Sequence, residues 1–274
     1  MTSDSRALHR ERRRLLLLSV LIVVSASRIA AVELGDAASR AYAEYVGQAS
    51  RSFLDRLNQP PGGGDADHAA LRAERTIVGP GGEDGILNVP GGLVHHWRGA
   101  IFIPGVTLDQ AISVSRTYRD YPNIFRPIIA STVLADEGDF LRVQFRIRES
   151  AAGMTAILDV RSSIRYVRID ARRAYDISSA DEILEVKDAG RPTERHLPAG
   201  RDSGYLWRAG AFTRFVEDDG GVYMEMETVG LSRRFPPMLG WMIEPIARRL
   251  GRRSVENSVL EFRRAVLMRH PSVP

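Results

Sequence analysis

Arg208-Ala209-Gly210-Ala211-Phe212-Thr213-Arg214-Phe215-Val216-Glu217 and Val222-Tyr223-Met224-Glu225-Met226-Glu227 flank the turn signal Asp218-Asp219-Gly220-Gly221. With Asp219-Gly220 at the centre of a tight hairpin turn, Phe215 faces Met224, Arg214 faces Glu225, Thr213 faces Met226 and Phe212 faces Glu227. Side chains alternate across a strand. One face therefore collects Trp207, Ala209, Ala211, Thr213, Phe215, Val222, Met224 and Met226. The other collects Arg208, Phe212, Arg214, Tyr223, Glu225 and Glu227. The first face is apolar, with small residues in its middle. It needs a cover, and the small residues leave room beneath one. The second reads as a solvated face with a cross-strand ion pair, worth about 0–1 kcal/mol where exposed.

The same reading extends in both directions. Upstream, strands are predicted at 128–136, 140–149, 155–169, 173–186 and 204–217, with 221–231 closing the series. The breaks between them are rich in Asp and Gly, as turns require. Before them, Leu93–Ile103 reads as a strand, and Pro104-Gly105 ends it. Thr107 is placed to cap a helix over Leu108–Arg119, followed by a proline-bounded turn at 121–127. Downstream, 237–268 reads as one long helix, bent at Gly251, with Val255, Val259, Phe262 and Val266 on its apolar side. Consecutive strands joined by short turns make an antiparallel meander. Its single apolar face is covered by the long helix. The predicted class is α+β.

Ahead of this body, Leu34, Ala38, Ala41, Tyr45, Ala49, Phe53 and Leu57 recur every three or four residues, the stripe of an amphipathic helix over 33–57. An alanine-rich stripe is marginal alone and must pack on something larger. Pro60-Pro61-Gly62-Gly63-Gly64 ends it, and 58–92 reads as a Gly/Pro-rich linker. Gly79-Pro80-Gly81-Gly82 lacks the Lys-Ser/Thr of a phosphate-binding loop. At the N-terminus, Arg12-Arg13-Arg14 precedes the apolar run Leu15–Val24, with Ser25-Ala26-Ser27 after it. This is the order of a secretory signal, and the run is too short to span a bilayer, which takes about 20 residues. The predicted organisation is a signal peptide or signal anchor at 1–31, a helix and linker at 32–92, and a body at 93–270. The expected location is outside the cytoplasm, periplasmic or extracellular, with anchoring to the inner membrane if the signal is not cleaved.

Charge sharpens the exclusions. The chain carries 38 basic and 34 acidic residues. Residues 1–31 hold six arginines against Asp4 and Glu11, so the remainder is balanced. A nucleic-acid binder carries a basic body, so nucleic acid is not an expected partner. Cysteine is absent, which removes thiolate chemistry and disulfides. No His-Glu-x-x-His, EF-hand or Gly-x-Ser-x-Gly pattern is present, and no catalytic residue, metal ligand or cofactor is predicted. His95 and His96 are adjacent on a strand and point to opposite faces. Arg248, Arg249, Arg252 and Arg253 cluster on the long helix, where they suit either a solvated face or docking on an anionic membrane.

Pro104-Gly105-Val106-Thr107, Tyr121-Pro122-Asn123-Ile124-Phe125-Arg126-Pro127-Ile128 and Pro236-Pro237-Met238-Leu239-Gly240-Trp241, in this order of elements, resemble the START-like, helix-grip superfamily of lipid-transfer, coenzyme-Q-binding and polyketide-cyclase proteins. Val89–Gly99, Gly204–Arg208 and Leu231–Arg234 resemble more closely a family of exported bacterial START-like proteins. The resemblance implies an antiparallel sheet wrapped on a long C-terminal helix around an apolar cavity, and carries over no catalytic residue. The expected cavity lies between the sheet and helix 237–268, lined by Trp207, Phe215, Met224, Met226, Trp241 and Phe262. The expected partner is a lipid or other apolar small molecule, bound and then transferred. The alternatives are a cyclase- or aromatase-like enzyme acting on a polyketide or isoprenoid, and a structural or protein-interaction domain with a filled core.

Overall fold

The computed structural model describes residues 32–62, 65–82, 84–151, 154–198, 201–234 and 237–271. Residues 1–31, read above as a signal, lie outside them. The described helices are α1 (Asp36–Asp55), α2 (Asp65–Arg72), α3 (Leu108–Ser115), α4 (Tyr121–Ile124) and α5 (Pro237–Arg269), with a 3₁₀ turn at Tyr118–Asp120. The strands begin with β1 (Val32–Glu33), β2 (Ile77–Pro80), β3 (Ile86–Val89) and β4 (Gly92–Pro104). The meander follows as β5 (Ile128–Asp136), β6 (Phe140–Ala151), β7 (Met154–Arg168) and β8 (Arg173–Lys187). Short β9 (Arg195–His196) and β10 (Arg201–Asp202) precede the closing hairpin of β11 (Arg208–Asp218) and β12 (Gly221–Arg233).

Ten of these strands form one sheet in the order β2-β4-β12-β11-β8-β7-β6-β5, with β3 also on β4 and β9 on β8. Every pairing is antiparallel. The β11–β12 register is the one the turn arithmetic predicts: Phe215 opposes Met224 and Arg214 opposes Glu225. The stretch 58–92, read as linker, instead carries α2 and the short strands β2 and β3, which pair with β4. Strands of four residues give too weak an alternation to separate from a Gly/Pro-rich loop.

Two layers cover the sheet. On one face, α3 and the second half of α5 close a core of Ile101, Ile103, Leu108, Val114, Phe215, Met224, Val259, Phe262 and Val266. Gly99 lets α5 approach β4, because a Cβ there would stand 2.6 Å from Val255. Thr107 and Gln110 form a reciprocal capping box that starts α3 where β4 has turned. On the other face, α1 lays Ala38, Tyr42, Ala49 and Phe53 on Val94, Phe212, Val229 and Leu231. The Tyr42 hydroxyl donates to the Val229 carbonyl at 3.0 Å. The predicted stripe is thus the buried face of α1.

Candidate functional site

The register defines an inner face, the one that meets α3 and α5. Across β7, β8, β11, β12 and β4 it runs in rows: Tyr166, Asp176, Thr213, Met226 and Gly99, then Ile164, Ser178, Ala211, Thr228 and Trp97. Asp181 is the extra residue of a bulge against β7, since Arg161 pairs with Glu182 and Ser162 with Ala180. Ser162, Ala180, Ala209, Gly230 and His95 make the next row.

Ser178, Ala180, Ala209, Ala211, Met226, Thr228, Gly230 and His95 are all partly exposed, although each sits on a strand with neighbours on both sides. At either end of this floor the side chains are large and buried. One end is the α3–α5 core with Phe215 and Phe262, and the other groups Leu158, Val160 and Ile183 with Tyr205 and Leu206. Small, partly exposed side chains thus lie between two bulky clusters.

The row beside this floor, with Tyr166, Asp176 and Thr213, is polar and buried. The Tyr118 and Tyr166 hydroxyls lie 2.6 Å apart, and Tyr166 is 2.8 Å from the Ser115 Oγ. The Tyr121 hydroxyl donates to the Ser115 carbonyl at 2.6 Å. Tyr118, Tyr121 and Phe145 pack with ring centroids 4.7–6.1 Å apart. Asp176 stands opposite both Tyr166 and Thr213 and is 7% exposed. Burial pushes its carboxyl up to about 7, against a smaller lowering by the Thr213 hydroxyl. The three tyrosines are raised by burial first, and the Asp176 charge adds to it. His95 lies on the same face, 2.7 Å from the Ser232 Oγ, and burial lowers it to about 4, so it is neutral at physiological pH. Two strands, β11 and β12, separate His95 from Asp176. At about 4.8 Å per strand spacing, the two cannot work on one bond.

The predicted lining is redistributed. Phe215, Met224 and Phe262 are 1%, 1% and 3% exposed and pack on one another as filled core, with Phe215 and Phe262 centroids 5.9 Å apart. Met226 is partly buried and packs against the same core. The side chain of Trp241 lies outside the described residues. Trp207 is a correction: it belongs to the opposite face, packed with α1 and Phe212. The strand begins at Arg208, not at 204, because Gly204 takes a positive φ and Asp202 binds both the Gly204 N–H and the Trp207 indole. Alternation counted back from Phe215 therefore stops short of Trp207.

The face read as solvated is a second correction. Arg214, Glu225 and Glu227 are 3%, 8% and 3% exposed, roofed by the end of α1 and the chain after it. Arg214 Nε donates to Glu225 at 2.6 Å, and its other nitrogens donate to the carbonyls of Arg56, Gln59 and Pro60. Glu227 takes Arg56 and His96 Nε2, and His96 Nδ1 meets the Tyr45 hydroxyl at 3.0 Å. Burial alone would raise Glu227, but the hydrogen bonds and charges of His96 and Arg56 outweigh it and hold the carboxyl below its usual range. Beside this network is a cleft of about 160 Å³ that also touches Gln48, Ser52 and Gly81. Among the described residues, no group of three or more His, Cys, Asp or Glu could hold a metal ion.

The arginines on α5 also divide. Arg248 is partly buried and engages Asp84, whereas Arg249, Arg252 and Arg253 are exposed. Ile246, Leu250, Leu260 and Met268 are exposed on the same helix. No described helix is long and apolar enough to cross a membrane.

No protein-family model matches this chain, and no curated protein matches it. Solved structures similar to it include a STAR-related lipid transfer protein from Xanthomonas axonopodis, 16% identical over 67% of this chain and 99% of that one, with a TM-score of 0.43. Human STARD10 is 10% identical over 79% of this chain and 85% of that one, TM-score 0.43. The Zhui aromatase/cyclase from a Streptomyces species is 14% identical over 64% and 93%, TM-score 0.39. The antiparallel sheet, the paired short helices after β4 and the long C-terminal helix packed on the sheet make a helix-grip α+β fold, the class expected from the sequence.

Proposed function

We propose that this protein binds a lipid or other apolar small molecule, non-covalently, in the hollow over Ser178, Ala180, Ala209 and Ala211, and transfers it. The observation that carries the reading is the exposure of small residues in the middle of the inner face, between two closed clusters. Apolar ligand surface leaving water for such a site contributes roughly 25 cal/mol per Å². The test is solvent extraction and mass spectrometry of the full chain purified from its own host. A stoichiometric apolar compound supports the reading, and repeated recovery of protein that neither carries nor takes up one would defeat it.

A second reading, a cyclase-like enzyme, is favoured by one observation. A near-neutral Asp176 beside a chain of hydroxyls could stabilise a developing enolate oxygen. Against it, the next ionisable group on this face beyond the tyrosines, His95, lies across two intervening strands. Recovery of a product whose mass differs from that of the supplied precursor would favour the enzyme.

Two further expectations attach to the carrier reading. Exposed Arg249, Arg252 and Arg253 with Ile246, Leu250 and Leu260 suit docking of α5 on an anionic bilayer, at about 1 kcal/mol per charge near the surface. Co-sedimentation with anionic but not zwitterionic vesicles is the expected result, lost when the three arginines become glutamine. Residues 1–31 would direct the chain out of the cytoplasm. A reporter fused to residues 1–35 should be exported, and cytoplasmic reporter would sink the idea.

A further inference from the structure

Resting on the reading of the hollow as a ligand site, we infer that its occupant carries a basic nitrogen at the buried end, held by Asp176 within the tyrosine cluster. A carboxyl taken out of water needs a cation or several donors to be tolerated, and among the described residues this one has Thr213 alone as a hydrogen-bonding neighbour. Groups on several packed elements face it. From β7 comes Tyr166, from the 3₁₀ turn Tyr118, and from α4 Tyr121. The side of α5 turned to this end is apolar, with Val259, Phe262 and Val266. The Arg116 guanidinium lies over the Tyr166 ring, 4.8 Å from its centroid, and pairs with Asp136.

The tyrosine hydroxyls are already spent on one another and on Ser115. A ligand group arriving here therefore meets the carboxyl. A hydroxyl or carbonyl on the ligand would be served equally well by a serine or threonine in that place. What a carboxyl adds is charge, and the partner it suits is a cation flanked by aromatic rings. An anionic headgroup is disfavoured for the same reason, since it would place like charge beside Asp176 at low dielectric.

The test uses the full chain and three probes of equal chain length below their micelle concentrations: dodecylamine, dodecanol and dodecanoate. Calorimetry at pH 8 should show dodecylamine binding about tenfold or more tighter than dodecanol, as a hydrogen-bonded charge pair implies, with dodecanoate weakest. As pH falls below about 7, amine affinity should weaken by up to about tenfold per unit, because the proton on Asp176 must first be expelled. Dodecanol affinity should stay level. In Asp176→Asn the amine preference should vanish while dodecanol still binds. If that variant does not fold, the wild-type pH profile decides. A flat amine profile, or a preference that survives in Asp176→Asn, overturns the inference and leaves the hollow standing. Binding of none of the three probes removes the hollow as a ligand site, and the inference with it.

Discussion

Asp176 couples stability to pH. Its carboxyl titrates near 7 in the folded chain and near 4 when unfolded. As pH rises, the unfolded chain loses this proton first, so the contribution is fully present below about pH 4 and is lost as pH rises through about 7. Asp176→Asn should match the wild type at pH 4 and exceed it by roughly 2–4 kcal/mol at pH 8. Denaturant titrations at the two pH values check this, and an equal or less stable variant at pH 8 would contradict it. Arg214 carries the opposite expectation. It is 3% exposed and holds Glu225 together with three backbone carbonyls. Arg214→Ala leaves a buried carboxylate unpaired and should cost about 3–5 kcal/mol. A loss below about 1 kcal/mol, the value of an exposed pair, would mean that water reaches this network in solution.

At the scale of elements, α1 and α5 are seated by opposite faces of one sheet, and glycine decides how closely α5 sits. Alanine at Gly251 would add up to about 1 kcal/mol of helix propensity. Its Cβ would also stand 2.3 Å from the indole nitrogen of buried Trp97, and overpacking of that kind costs about 1–3 kcal/mol. Gly251→Ala should therefore lower the melting temperature, and a rise would show that Trp97 yields. Deleting residues 33–57 should lower it much further, since Phe212, Val229 and Leu231 would lose their cover. An unchanged melting curve would make α1 a spacer. The elements themselves were largely legible in the sequence. The predicted strand at 128–136 matches β5, and α5 runs to Arg269 against an expected 268. Turn residues and alternation are local signals, and they carry that much. The β2 and β3 strands were not legible, because their form depends on β4 being there to pair with.

For the whole molecule, the hairpin register was readable and its surroundings were not. Arithmetic from Asp219-Gly220 placed Phe215 opposite Met224, but nothing local says which face a helix 150 residues upstream will cover. Arg214, Glu225 and Glu227 read as solvated for that reason, and α1 buries them. The expected lining met the same limit. Phe215, Met224 and Phe262 fill the space they share, and the small, partly exposed residues lie in the rows beyond them. Ala209 and Ala211 were visible as room beneath a cover, whereas Asp176, Tyr118 and Tyr166 converge only once β7, β8 and the α3–α4 connection are folded together. The claim that binds these observations is that the small-residue floor is a ligand site. Its most direct test is native mass spectrometry of the wild type and Ala211→Trp side by side, each exposed to the same lipid extract. The account predicts a bound apolar mass on the wild type and none on a folded Ala211→Trp. Equal loading of both proteins, or of neither, would contradict it.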